Sequence, residues 1–99
     1  MYLEPWSDIN EYPESHKNKL SFEAKTEIDI GHILFGKELS VITKREDCDE
    51  ILILSGSNKY IVHLTWSSNK ESPPYPNTVK FDSEEELERR LQQDFKFYS

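Results

Sequence analysis

The sequence predicts an α+β fold: an antiparallel three- to four-stranded meander sheet with an N-terminal helix and a C-terminal helix packed on one face. Three observations predict it. Residues 60–66 (Tyr-Ile-Val-His-Leu-Thr-Trp) read as a strand. Residues 51–54 are an uninterrupted apolar run, joined to that strand by the turn-forming Ser55-Gly56-Ser57-Asn58. Residues 83–98 carry the cap and the apolar stripe of an amphipathic helix.

Along the chain, residues 1–19 hold Trp6, Tyr12 and two prolines without helical or strand periodicity, which predicts an extended N-terminal arm tacked on by its aromatics. Residues 20–99 then form a single domain. Residues 20–30 fit two templates. Leu20, Ala24 and Ile28 recur at helical spacing, with Asn18 as a cap and Gly31 as a stop, while Phe22, Ala24, Thr26, Ile28 and Ile30 alternate as in a strand. The helix is the favoured template, and Ile33, Leu34 and Phe35 are expected to pack inward from the turn after it.

Residues 38–44 read as a strand with Leu39, Val41 and Thr43 on one face, and the run 51–54 as a strand covered on both sides. In residues 60–66, alternation places Tyr60, Val62, Leu64 and Trp66 on a core face, against which the C-terminal helix should lie. Ile61, His63 and Thr65 fall on the other face, a partly covered surface or a shallow binding site. A proline-rich loop leads to a short strand at 78–81. In the closing helix Ser83 and Glu86 have capping-box spacing, and Leu87, Leu91, Phe95 and Tyr98 form the stripe. Glu85 with Arg89 and Glu86 with Arg90 stand at ion-pair spacing.

The 99 residues suffice for one small core. Nineteen acidic against twelve basic residues, a formal charge of −7, oppose binding to a phosphate backbone, so no nucleic-acid partner is expected. A lone Cys48 and no charged leader before an apolar run point to a reducing, cytoplasmic setting. No stretch has the length of a membrane helix, and no membrane partner is expected.

Four strings stand out: Gly31-His32-Ile33-Leu34-Phe35-Gly36-Lys37, Arg45-Glu46-Asp47-Cys48-Asp49-Glu50, His63-Leu64-Thr65-Trp66, and Glu71 with Pro73 and Pro76. In order and spacing they resemble a group of small uncharacterised bacterial proteins, over about residues 20–98, with Glu50 where a second aspartate is expected. That resemblance implies no particular activity. Bacterial proteins of this size are often encoded among toxin and immunity genes, which favours an interaction module such as an immunity protein or regulator.

The residues themselves nominate a recognition surface of His63, Thr65, Trp66, Glu71 and Tyr75 on the proline loop, with Asp47 and Asp49 as its acidic contribution. Tryptophan and tyrosine are enriched in binding hot spots, and proline lowers the ordering cost. The expected partner is another protein, with no cofactor, no metal and no catalytic residue. The competing reading is a metal or small-ligand binder, or an enzyme, built on His32, His63 and the Asp47-Cys48-Asp49 turn. Against it, the sequence lacks Cys-x-x-Cys and His-x-x-x-His spacing, and the acids beside Cys48 disfavour a thiolate.

Overall fold

The structure, a computed structural model, describes residues 4–72 and 75–98, with the side chain of Tyr98 outside that description. A five-stranded antiparallel sheet runs in the order β1 (Trp6–Asp8), β2 (Ser40–Arg45), β3 (Glu50–Ser55), β4 (Asn58–His63), β5 (Thr78–Phe81), so each strand pairs with its neighbours in sequence. Helix α1 (Glu14–Glu27) lies between β1 and β2, and helix α2 (Glu84–Tyr98) closes the chain. The fold is therefore α+β with two helices, and its sheet has five strands rather than three or four.

The additional strand is β1. Residues 1–19 were expected to be an arm, but Trp6, Ser7 and Asp8 pair with Arg45, Lys44 and Thr43, and α1 starts directly after Pro13 rather than at an Asn18 cap. Pro13 suits this position, because the first turn of a helix has no intrahelical acceptor for the amide that proline lacks.

Both faces of the sheet are covered, one by each helix. Tyr60, Val62 and Leu64 join Ile51, Ile53 and Val41 under Leu20 and Ala24 of α1. Leu52 and Ile61 join Trp6 and Phe81 under Leu87 and Leu91 of α2. The expectation that the C-terminal helix lies against the Tyr60 face is thus corrected: α2 lies on the Ile61 side, because α1 already occupies the side of Tyr60. A continuous apolar β3 meets this need, and Leu52 opposite Ile61 places one of its residues in the second core.

Gly56, at φ 61°, opens the two-residue link between β3 and β4, where a type II′ hairpin turn takes glycine. A register shift between Val41 and Thr43 marks a bulge in β2. In α2 the Glu86 amide donates to Ser83 Oγ at 3.2 Å, and the Glu86 carboxylate reaches back to the Asp82 amide rather than that of Ser83. Leu87 and Leu91 are buried, whereas Phe95 is 38% exposed. Only Leu34 packs inward from the turn after α1; Ile33 and Phe35 are exposed there, since consecutive turn residues point in different directions.

Candidate functional site

Strand β4 ends at His63, so Thr65 and Trp66 belong to neither of its faces. The chain beyond it is carried by two carboxylates of α1. Glu27, wholly buried, accepts the Thr65 amide at 2.9 Å and the Trp66 amide at 2.9 Å. Glu23, one turn earlier, accepts the Ser68 amide at 3.0 Å and the Ser68 hydroxyl at 3.3 Å. The Glu71 amide completes the attachment at the Glu27 carbonyl, 2.8 Å away.

This support holds Trp66 and Ser68 at φ 58° and 59°, the left-handed region that costs a residue with a Cβ roughly 1–2 kcal/mol. Backbone held there against its preference needs surrounding contacts that over-determine it. Burial, together with the hydrogen bond shared with Glu23, pushes the Glu27 carboxyl up to about 7, while the amides of Thr65 and Trp66 oppose the shift. Glu23 moves the other way, chiefly because its hydrogen bond with Glu27 favours its charge. The two carboxyls thus divide one proton unequally, with Glu27 as its holder.

Above this support the Trp66 ring is 39% exposed, and its indole N–H donates to Asp49 Oδ1 at 3.1 Å. Thr65 Oγ1 donates to Glu71 Oε2 at 3.3 Å. The Leu64 amide donates to the Asp49 carbonyl at 2.9 Å, so the Asp49 turn and the Trp66 loop are joined by backbone as well as side chain. Thr65, Trp66, Glu71 and Asp49 therefore form one connected group. His63 is exposed beside it, with Nδ1 4.0 Å from Glu50. Tyr75 is 50% exposed, and its amide donates to the Ser72 carbonyl at 3.0 Å rather than to any member of that group. Pro73 lies outside the described residues, as does Pro74.

Asp47 and Asp49 face different partners. Residues 46–49 are bends rather than extended chain, so Asp47 turns to Arg45 while Asp49 turns to Trp66. Arg45 also binds Glu50 at 2.7 Å and lies 3.3 Å from Asp94; Arg90 binds Glu50 and Asp94; and the Trp6 indole donates to Asp94 at 2.8 Å. Burial works against the guanidinium charge, yet Asp47, Glu50 and Asp94 hold Arg45 above its ordinary value. Glu50, raised by burial, is brought below the usual carboxylate value by Arg90 and Arg45. This cluster ties β1, β2, β3 and α2 together.

The other nominated residues are structural in their contacts. His32 is buried, its Nδ1 accepting the Leu34 amide at 3.0 Å, which leaves Nε2 to donate to the Pro76 carbonyl at 3.0 Å. Cys48 directs its thiol at Glu50 Oε1, 3.7 Å away, and burial with the nearby Glu50 and Asp47 charges pushes that thiol up. An activated nucleophile requires the opposite shift. Among the described residues no group of three or more His, Cys, Asp or Glu side chains is placed to hold a metal ion, and no helix is long and apolar enough to cross a membrane.

Glu27 and Glu23 escaped the sequence reading because acidic residues in a helix ordinarily face water. Their signal was two like charges one turn apart on a helix with few apolar residues. Trp6 and Asp94 stand 88 positions apart, which no local pattern connects. Comparisons with protein-family models, curated proteins and solved structures gave no match.

Proposed function

We propose that this chain is a non-enzymatic protein-binding module of the immunity-protein or regulator type, acting in the cytoplasm and engaging a basic site on its partner through Trp66. The observation that carries this reading is the half-exposed Trp66, held in left-handed backbone by the buried Glu27. A rigid aromatic anchor loses little entropy on binding, and backbone strain gathered in one exposed loop, here at Trp66 and Ser68, is a feature of recognition sites. Asp49 accepts from the indole and Glu71 from the hydroxyl of the neighbouring Thr65, so the surface offers a ring face and two carboxylates to a Lys or Arg side chain. His63, Thr65 and Tyr75 extend it, and the charge of −7 steers a basic partner toward it.

The test is affinity capture from the cell of origin with wild type, Trp66→Ala, Tyr75→Ala and, as a control on another surface, the 86% exposed Phe97→Ala, all checked for folding by circular dichroism. A specific protein that binds wild type and Phe97→Ala, is lost with Trp66→Ala, and is released by salt supports the reading. Equal capture by all four chains overturns it.

A further inference from the structure

Beside the loop that carries Trp66 and Glu71, Lys25 of α1, Lys37 of the following turn and Lys70 of that loop rim a cavity of about 240 Å³ whose apolar lining includes Leu34, Phe35 and Leu39. A neighbouring hollow of about 430 Å³ shares Lys25 and Leu39 and reaches Leu54, with Glu38 on its edge. Arg45, Lys59, Lys80 and Arg90 all form ion pairs, but none of the three rim lysines does so among the described residues. In a chain with nineteen acidic side chains, what sets this hollow apart is that three lysines without an ion pair among the described residues line it together, with no acidic residue in its lining.

The floor is equally unfinished. Leu34 is buried, Phe35 is 47% exposed and Leu39 is half-buried, so apolar area remains for an occupant to cover. The rim is built before any ligand arrives: His32 fixes the Leu34 amide, and the Lys37 amide donates to the Leu34 carbonyl at 3.2 Å. From this combination we infer that the cleft binds an amphiphilic anion, a carboxylate or phosphate ester on a short apolar body. The head group is held by Lys25, Lys37 and Lys70, and the body lies on Phe35 and Leu39. Lysine stems can cover apolar surface while their ammonium tips meet the anion. This site is independent of the Trp66 reading and has the opposite charge.

Amide NMR spectra titrated separately with octanoate, octyl phosphate and octylammonium test it, using wild type and the doubly reversed Lys25→Glu, Lys37→Glu chain. Saturable shifts at Lys25, Phe35, Gly36, Lys37, Leu39 and Lys70 with either anion, and none with octylammonium, are expected; the stronger anion identifies the head group. The double variant, whose dispersed spectrum reports its own folding, should weaken the anion by at least about tenfold. The inference is overturned if neither anion gives saturable shifts there, if octylammonium matches them, or if the double variant binds equally. It is also overturned if a glutamate-rich peptide shifts these amides and both octyl anions leave them unmoved, which would make the cleft a docking face for an acidic protein segment.

Discussion

The Trp66 amide donates to Glu27 Oε2 at 2.9 Å, so the backbone that carries the exposed ring is held by a carboxyl buried at the end of α1, and the protonation of that carboxyl is coupled to the geometry of the loop. Glu27 has a folded value of about 7 against an ordinary 4.5, which means that the folded state holds a proton the unfolded state has released. Its contribution to stability is complete below the ordinary value and is lost as pH rises toward and through about 7. Glu23 and Glu50, both lowered, contribute in the other direction: their contribution is complete above the ordinary value and is lost as pH falls below it, so it is constant across the window in which that of Glu27 falls. Urea unfolding should therefore show wild-type stability falling between about pH 5 and about pH 7.5, with a slope of at most about 1.4 kcal/mol per pH unit from this one proton. Glu27→Gln should flatten the fall, and an unchanged slope would detach Glu27 from it.

Asp94 sits where Trp6, Arg45 and Arg90 converge, and it is 8% exposed beside an Arg45 that is 9% exposed. Removing the carboxylate leaves a buried guanidinium and an indole N–H short of acceptors. Asp94→Ala should cost about 3–5 kcal/mol in chemical unfolding, the range for stripping one partner from a buried pair. Asp94→Asn, which retains an oxygen for Trp6, should cost less. A loss under about 1 kcal/mol for the alanine variant would show that water replaces the carboxylate.

The central strands were legible because period-two alternation and hairpin chemistry are local: Leu52 faces Ile61 across a link opened by Gly56. Strand β1 was not, since three residues give too short a period and their partners, Thr43 to Arg45, are remote in sequence. The start of α1 was obscured for a different reason. Its inward side is Leu20 and Ala24 together with Glu23 and Glu27, so half of the buried stripe is charged and reads as a solvated face. Four of the nominated recognition residues, Asp49, Thr65, Trp66 and Glu71, are joined in the structure, but the carboxyls that hold their loop became visible only when α1 and that loop met in space.

Ser68 offers a measure of the strain in that loop. At φ 59° it occupies left-handed backbone while its hydroxyl donates to Glu23. Ser68→Gly removes a Cβ penalty of roughly 1–2 kcal/mol but also a hydrogen bond of about 0.5–1.5 kcal/mol, and it loosens the unfolded chain. These terms nearly cancel, so its stability should stay within about 0.5 kcal/mol of wild type. Ser68→Val keeps the penalty, adds β-branching and loses the hydroxyl, and it should cost at least about 1 kcal/mol. Thermal unfolding of the two variants side by side separates backbone strain from the lost contact.

Thr43 is fully buried in the middle of β2, and its hydroxyl oxygen has no hydrogen-bond partner among the described residues. Folding removes that hydroxyl from water without replacing its lost bond, a cost of about 1–3 kcal/mol. Valine keeps the β-branched shape and the stiff χ1 that a strand accommodates, and it puts a methyl group where the unpaired hydroxyl stands. Thr43→Val should accordingly stabilise the fold by about 1 kcal/mol, which for a chain of this size raises Tm by about 4–8 °C. Thr26 supplies the contrast: its hydroxyl donates to the Phe22 carbonyl at 2.7 Å on the outer side of α1, so Thr26→Val should bring no gain. If Thr43→Val were neutral or destabilising, the oxygen would have a partner, and a bound water at β2 would be the first to seek.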